Sequence, residues 1–424
     1  MRKAGAWATG ILLAVSQIGF DSISAWGDDS GARCCGDLEH LVMGLTAAPA
    51  RNDNSTSTLR VYGQVNRALL FWDDGVKSRA YAVDNETSSS RLGVYGKYSF
   101  SDEQKVGYRV EIDLKATSSS EVSSGDPWGD GVLRLRHAYW YLEDSKLGRL
   151  TFGQQSPATD DITLITLGSE MSNAALHYNN SFALRIASPG VFRLTWGDLA
   201  HTVDSFRGLF VRYDTPKLHG VLVSVAAGED QTWDAALRYS TVWNSVRLAA
   251  GIGYMQNGEL DFRDIRGSLS ALHLPTGLFV SLAGGLRDDD GVALDADRNG
   301  HFYFAQAGLS RRFLSFGNTT IYGEYGRYED FSVGKVFSAN LTGLPPDRRW
   351  ALTNTVVDRW GLGIEQAVEP SKLLLYGQFH HYAANFSGAR CSELAGASCT
   401  LDGARRDFSP APWKSVILGA RIQF

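Results

Sequence analysis

The stretch that decides the fold is the C-terminal sequence Trp413-Lys-Ser-Val-Ile-Leu-Gly-Ala-Arg-Ile-Gln-Phe424. One parity of this stretch is apolar and carries Val416, Leu418, Ala420, Ile422 and Phe424. The other parity is polar or small and carries Ser415, Gly419, Arg421 and Gln423, with Ile417 as the exception. Such alternation predicts a β-strand with one apolar and one polar face. A strand at the end of the chain exposes an unpaired edge unless its sheet closes on itself.

The same alternation recurs from Thr58 onward. Between Lys105 and Leu114, one face carries Val106, Tyr108, Val110, Ile112 and Leu114, and the other carries Lys105, Arg109, Glu111 and Asp113. Many such segments in series, without an intervening helical pattern, predict an all-β fold, a 16-stranded antiparallel transmembrane β-barrel. The predicted strands are 58–72, 89–100, 105–116, 132–143, 148–156, 206–214, 219–228, 231–242, 245–257, 261–273, 278–288, 300–314, 318–330, 353–367, 372–386 and 412–424.

The connections between these strands alternate in length. The long connections include 73–88, 117–131, 157–205, 331–352 and 387–411, whereas the others span only a few residues. Long loops on one side and short turns on the other are typical of an outer-membrane barrel. An even number of strands places the C-terminus on the side of the short turns, which is the periplasmic side.

Composition is consistent with this fold and excludes some functions. The chain has 424 residues and is 44% hydrophobic, a share that is ordinary for a soluble protein. A membrane barrel has a similar share, because half of each strand faces water. The net charge of -5 gives no indication of nucleic-acid binding. No helical membrane protein is indicated, since only the N-terminal stretch approaches the apolar length that a spanning helix needs.

The first 57 residues read as a leader and an arm. Arg2 and Lys3 precede an apolar run, so residues 1–25 are predicted to be a secretory signal peptide. Residues 26–57 are predicted to be a periplasmic arm, either with a short helix or without regular structure, and the barrel is expected to span 58–424. Export places the cysteines in an oxidising compartment, where Cys391 and Cys399 are close enough in sequence to form a disulfide within a loop.

The chain resembles the Gram-negative trimeric porins, and more closely the alphaproteobacterial porins of rhizobial type. The segments that carry the resemblance are Val61-Tyr-Gly-Gln-Val-Asn-Arg67, Trp72-Asp-Asp-Gly75, Val83-Asp-Asn85, Ser88-Ser-Ser-Arg-Leu-Gly93, Arg136-His-Ala-Tyr139, Gly148-Arg-Leu-Thr-Phe-Gly-Gln-Gln155 and the terminal Phe424. In this family the terminal aromatic is an assembly signal, so the resemblance implies that role for Phe424. It also implies a homotrimer in the outer membrane.

The resemblance further implies that the third long connection, about 157–205, folds into the barrel and narrows it between Pro157 and about Tyr178. Acidic residues on this segment would then face basic residues on the inner faces of the first four strands. The predicted constriction residues are Asp160, Asp161 and Glu170 on the loop and Arg60, Arg91, Lys97, Arg109, Arg134 and Arg136 on the wall. An inward position is expected for Arg134 and Arg136, because an arginine facing lipid near the midplane costs about 2–4 kcal/mol.

Two residues do not fit the alternation. Arg67 and His137 fall on the apolar parity of their predicted strands. Arg67 could extend its charged group to the lipid headgroups. The parity of strand 132–143 also places Tyr139 and Tyr141 on the apolar face, beside Leu133 and Leu135.

The function expected from these features is passive diffusion of ions and small hydrophilic solutes through the outer membrane, with no enzymatic activity, cofactor or metal. One alternative is a substrate-specific channel for a sugar or phosphate with the same architecture. Another is an outer-membrane barrel hydrolase, which needs a nucleophile, a base and an orienting group. The adjacent His380 and His381 must point to opposite faces of a strand, and no spaced catalytic set is evident in the sequence.

Overall fold

The computed structural model describes residues 57–129, 131–174, 181–186, 190–200, 206–289, 299–340, 349–395 and 398–424. The predicted signal peptide and nearly all of the predicted arm lie outside these residues. Among the described residues, no helix is long and apolar enough to cross a membrane.

The structure is a closed antiparallel barrel of sixteen strands, which confirms the predicted fold class. The barrel strands are β1 (Ser57–Asp73), β3 (Arg91–Ser99), β4 (Gln104–Lys115), β5 (Val132–Asp144), β6 (Gly148–Gln155), β9 (Gly208–Asp214), β10 (Val221–Ala227), β11 (Trp233–Trp243), β12 (Val246–Asn257), β13 (Phe262–His273), β14 (Leu278–Asp289), β15 (Asn299–Leu314), β16 (Gly317–Glu329), β18 (Arg349–Val368), β19 (Leu373–Ala395) and β21 (Trp413–Gln423). The remaining elements lie in the connections on one side of the barrel. They are β2 (Ser78–Asp84), β7 (Ala183–Ile186), β8 (Gly190–Thr195), α1 (Trp196–Leu199), β17 (Val336–Asn340) and β20 (Ser398–Phe408).

The barrel closes where the first strand meets the last. Residues 64–73 of β1 pair with residues 414–423 of β21. Beyond this ladder, the amide of Gly63 donates to the carbonyl of Phe424 at 3.1 Å, and the amide of Phe424 donates to the carbonyl of Gly63 at 3.0 Å. The ring of Phe424 packs so closely that a Cβ atom at position 63 would lie 2.7 Å from it. Glycine at position 63 therefore leaves room for the terminal aromatic ring.

The inner and outer faces follow the alternation of the sequence. On β21 the side chains of Val416, Leu418 and Ile422 are exposed on the outside of the barrel. Ile417, the exception to the polar parity, is fully buried in an apolar cluster inside the barrel. The polar face of this strand is thus the inner face, and its one apolar residue packs against other apolar residues there.

A β-bulge at Arg136 changes the parity of β5. Glu111 of β4 pairs with His137, whereas the next residue, Ile112, pairs with Leu135, so Arg136 is an extra residue. A bulge shifts all later side chains to the opposite face. His137 is consequently buried inside the barrel, and Trp140 and Leu142 are exposed on the outside.

The prediction that Tyr139 and Tyr141 face outward is therefore wrong. Tyr141 lies on the inner face, where the guanidinium of Arg149 stacks over its ring at 4.4 Å. The bulge also accounts for His137, which the alternation placed on the apolar side. Arg67 does remain on the outer face, and its guanidinium lies 3.7 Å from the carboxylate of the buried Asp84.

Several predicted loops contain further strands. β2 pairs with the upper part of β1, within the connection predicted as 73–88. β19 continues far beyond the barrel and pairs with β20, so the region 387–411 is a long hairpin. A disulfide joins Cys391 and Cys399 near the tip of this hairpin, with 5.4 Å between their Cα atoms. β17 pairs with both β18 and β8, and it thereby links the third long connection to the barrel wall.

An apolar cluster fills part of the barrel on the side of the long loops. The ring of Phe182, just before β7, lies 4.8 Å from that of Trp72 and 5.2 Å from that of Trp413. Phe192 of β8 packs in the same way against Phe386, at 5.1 Å. The cluster extends along the inner faces of β15, β16, β18, β19, β21 and β1. The second half of the third connection thus covers one side of the lumen and leaves the β3–β9 side uncovered by this cluster.

The bulge predicts different chemical access for two neighbouring residues. Tyr139→Cys should react with a membrane-impermeant maleimide, because this position faces the lumen, and Trp140→Cys should be protected by lipid. Labelling in intact outer membranes measures this, with the unsubstituted protein as the background for the native cysteines. Labelling at position 140 and protection at position 139 would restore the regular parity and contradict the bulge.

Candidate pore constriction

The third long connection enters the barrel after β6 and follows its inner wall. Its first residues contact β9, β11 and β13, and it reaches β18, β19 and β21 by residue 171. It also contacts β16 through Ser172 and Ala174. Residues 157–174 therefore follow the inner wall from β9 to β21, as the resemblance predicted for an inturned loop.

The start of this segment is held by one carboxylate and three arginines. Asp234 of β11 accepts hydrogen bonds from the amide and the hydroxyl of Thr159, at 2.6 and 2.7 Å. The guanidinium groups of the three arginines donate to loop oxygens. These bonds run from Arg212 to the carbonyl of Pro157, from Arg238 to the carbonyl of Asp160 and from Arg266 to the hydroxyl of Thr159.

The tip of the segment is held by a second carboxylate. Glu365 of β18 accepts hydrogen bonds from the hydroxyl of Ser169 at 2.9 Å, from the amide of Glu170 at 2.8 Å and from the amide of Met171 at 3.0 Å. Gln378 of β19 donates to the carbonyl of Met171 at 2.6 Å. Buried amides and carbonyls need such partners, because an unpaired one costs about 1–3 kcal/mol.

A third carboxylate, Glu324 of β16, holds the residues after the tip. It accepts a hydrogen bond from the hydroxyl of Ser172 and lies 2.9 Å from the guanidinium of Arg359. The Nε2 atom of His380 lies 3.0 Å from the same carboxylate. Arg359 also donates to the carbonyl of Asn173 at 2.6 Å. The wall therefore supplies side-chain partners along the whole inturned segment, and the charged ones form the stronger class of hydrogen bond.

The opposite wall carries a network of basic and acidic side chains. Arg109 donates to Glu111 and to the hydroxyl of Tyr62, both at 2.6 Å. Arg136 donates to Glu111 at 2.7 Å and to Asp113 at 3.2 Å. The bulge makes the contacts of Arg136 possible, because Arg136 is the extra residue and points inward between Glu111 and Asp113.

Four of the predicted wall residues come together here and two do not. Arg91 and Arg134 pair across the strands with Asp113 from either side, close to Arg136 and Arg109. Lys97 lies six residues from Arg91 along β3, which is roughly 20 Å towards the short turns. Arg60 pairs with Tyr95 and also lies towards the short-turn end of the barrel.

The predicted loop acids differ in position. Glu170 is at the tip, with a side chain 43% exposed, and it forms an ion pair with Arg421 of β21. Asp160 is buried, with its carboxylate 3.8 Å from Arg207. Asp161 has a left-handed backbone at φ 62 and precedes a short 3-10 turn. Glu170 is therefore the loop acid best placed to act on a solute.

Sequence reasoning missed the residues that anchor the loop. They are Arg212, Asp234, Arg238, Arg266, Glu324, Arg359, Glu365, Gln378 and Arg421. All of them fall on the polar parity of predicted strands, and that parity was the available signal. The alternation indicates that such a residue faces inward, but it does not identify the loop atom that it binds.

Comparison with known proteins agrees with this geometry. A family model described as Gram-negative porin matches residues 41–386. The chain belongs to the Gram-negative porin family. It is an outer-membrane channel with a multi-pass barrel, as predicted. The closer resemblance to alphaproteobacterial porins stays a prediction. No curated protein matches the sequence.

Solved structures show the same fold at low sequence identity. A loop L8 deletion mutant of OmpT from Vibrio cholerae is 14% identical, with 87% of this chain and 100% of that chain covered and a TM-score of 0.53. An anion-selective porin from Comamonas acidovorans is 15% identical, with the same coverage and a TM-score of 0.52. The trimer form of Vibrio cholerae OmpT is 16% identical, again with the same coverage, at 0.51.

The second half of the inturned connection is held on the side of the porin that carries the long loops. Thr195 caps α1 by accepting from the amide of Asp198, and the carboxylate of Asp198 accepts from the amide of Thr195. Lys335, before β17, forms an ion pair with the same carboxylate. Burial raises the pKa of Asp198, but the hydrogen bonds from Lys335 and Thr195 outweigh this and lower that pKa below its ordinary 3.8.

This pair predicts that the attachment of α1 depends on pH. A carboxylate whose pKa is lowered by folding stabilises the folded state above its ordinary pKa, and this contribution is lost as pH falls through the lowered value. The protection of the amides of residues 190–199 against hydrogen exchange, relative to the intrinsic exchange rate at each pH, should therefore be high at neutral pH and lower well below pH 3.8. In Asp198→Asn, this protection should be lower at neutral pH and should change less on acidification. An identical pH response in both proteins would contradict this role.

Proposed function

We propose that this porin forms a water-filled channel for passive diffusion of ions and small hydrophilic solutes, with a preference for anions at the constriction. The observation that carries the preference is the one-sided charge of the lumen. The inturned loop and the apolar cluster lie along the β9–β1 side, so solutes pass along the inner faces of β3, β4, β5 and β6.

Basic side chains outnumber carboxylates on this side. Its inner faces carry Arg91, Lys97, Lys105, Arg109, Lys115, Arg134, Arg136 and Arg149, against Glu111, Asp113 and Glu143. The carboxylates are paired, for example Glu143 with Arg149 and Glu111 with Arg109. The excess of cations remains after this pairing, and a narrow lumen with low-dielectric walls screens it less than an open surface would.

Glu170 faces this wall from the tip of the loop. A negative group opposite a positive wall produces a transverse field that orients dipolar solutes. The field is moderate, because Glu170 is paired with Arg421 and the cations nearest to it have partners of their own. A preference among ions is expected from such an arrangement, rather than a selective binding site.

Planar-bilayer recording of the purified protein in a salt gradient tests the proposal. We expect stable conductance and a reversal potential that indicates preference for anions. Arg136→Ala should shift the reversal potential towards cations, because Glu111 and Asp113 lose a shared partner. Arg134→Gln should shift it in the same direction with less effect on stability, since this side chain is exposed.

Lys146→Gln is the matched control for these variants. It removes the same charge from a short turn, where the side chain is 69% exposed and distant from the constriction. The control should keep the reversal potential of the unsubstituted protein. Absence of conductance would contradict the channel, and a cation preference of the unsubstituted protein would contradict the selectivity.

A substrate-specific channel is a narrower version of the same proposal. The cationic wall favours phosphate over a neutral sugar as the solute of such a channel. Block of the chloride current by phosphate at low concentration would indicate it, and block by neutral sugars would not. Ester hydrolysis by the purified protein would contradict a pure channel. Ser172 and His380 both contact Glu324, which serves to anchor the loop.

We also propose that the porin is a homotrimer, as the family resemblance implies and as one structural neighbour is described. The mass of the unheated detergent complex should be that of three chains and should fall to one chain after heating. A single-chain mass before heating would contradict the trimer.

A further inference from the structure

The strand beside β1 in the barrel wall is divided into two parts, β2 and β3. The chain enters the lumen between them. β2 pairs with residues 67–73 of β1, whereas β3 pairs with residues 57–64 of the same strand. β2 and β3 therefore occupy one position in the wall, one above the other. The residues between them, 85–90, leave the sheet and include a 3-10 turn at Glu86–Ser88.

Inward-facing side chains hold this turn inside the barrel. Gln64 of β1 donates to the carbonyl and the hydroxyl of Ser88, at 2.9 and 2.8 Å. Lys115 of β4 donates to Glu86 at 2.6 Å. Arg91 donates to the carbonyl of Ser89 at 3.1 Å and lies 3.4 Å from the hydroxyl of Ser88. The turn therefore belongs to the lumen lining, beside a wall residue of the predicted constriction.

Arg421 of β21 connects this turn to the tip of the inturned loop. Its NH2 group forms an ion pair with Glu170, and its NH1 group lies 3.4 Å from the hydroxyl of Ser88. NH1 also lies 3.9 Å from the sulfur of Met171. The side chain of Arg421 is only 8% exposed. One buried guanidinium thus contacts two separate segments that both project into the lumen.

We propose that the Glu86–Ser88 turn and the loop tip form two halves of the constriction and that Arg421 is the positioning residue that holds them together. The proposal rests on the channel function proposed above and adds a residue and a segment to it. Arg421 acts through Glu170 and Ser88: it fixes where the carboxylate of Glu170 lies, and it compensates part of its charge.

The planar fork of arginine is suited to this role. Two nitrogen atoms of one guanidinium can donate to two different partners in a fixed geometry, and an ammonium group has no such fork. Removing Arg421 releases the loop tip on one side and leaves Glu170 without its counter-charge. Removing the charge of Glu170 breaks the same ion pair but takes a negative charge out of the lumen. The two changes therefore share a mechanical effect and have opposite electrostatic effects.

Single-channel recording of the full-length protein in a salt gradient separates these effects. Arg421→Gln and Glu170→Gln should both increase closures to substates, about tenfold if the lost contact is a typical charge-assisted bond. Arg421→Gln should shift the reversal potential towards cations, and Glu170→Gln should shift it towards anions. A role for Arg421 in barrel stability alone would not produce opposite shifts.

Two further variants test the geometry. The double variant Arg421→Glu with Glu170→Arg should show as few closures to substates as the unsubstituted protein, because the ion pair is kept with its two charges exchanged. Arg421→Lys should keep the reversal potential, because it keeps the charge. It should show more closures to substates than the unsubstituted protein but fewer than Arg421→Gln, because an ammonium group lacks the fork of the guanidinium.

Lys414→Gln is the matched control, because this residue lies on the same strand but faces outward. It should behave as the unsubstituted protein. Unchanged closures and reversal potential in Arg421→Gln would overturn the proposal. A double variant that closes to substates as often as the single variants would also overturn it. If the unsubstituted protein does not conduct, the proposed function fails instead, which is a separate result.

Discussion

The structure depends on the requirement that no backbone hydrogen-bonding group is left unpaired where lipid excludes water. A sheet meets that requirement only if its first and last strands pair, and residues 64–73 and 414–423 do so. Closure fixes which parity of every strand faces inward. The polar parity then lines a lumen whose interior must be filled by water, side chains or chain segments. The location of the constriction follows from how the inturned segments divide that interior.

The backbone groups of the inturned loop also need hydrogen-bond partners. Residues 157–174 form little regular structure, so their amides and carbonyls need partners from the wall. Asp234, Glu324 and Glu365 accept from the loop, and arginines of β9, β11, β13 and β18 donate to it. Charged side chains on that wall are therefore engaged in holding the loop, and those on the β3–β6 wall do not contact it through these hydrogen bonds. The division of labour between the two walls produces the one-sided charge.

Much of this fold could be predicted from the sequence, because alternation reports inward and outward faces directly. The number of barrel strands, the inward position of Arg134 and Arg136 and the inturned third connection follow from parity or from family resemblance. The bulge at Arg136 could not be located from the sequence, since its one sign there is that His137 falls on the apolar parity, and a single misplaced residue does not identify an extra one. The anchors Glu324 and Glu365 were equally hidden, because contacts between distant segments depend on register and loop path.

The interruption between β2 and β3 shows how one break in the alternation affects the site. Asn85 and Ser88 favour a turn, and the sequence predicts them as the end of the connection 73–88, with Ser89 and Ser90 at the start of the next strand. In the structure the chain returns to the wall before this turn, as β2, and so the turn falls inside the lumen. The polar groups of the turn need partners there, and Gln64, Lys115 and Arg421 provide them. A segment that looks like a connection therefore narrows the channel, because β2 lies above it in the wall.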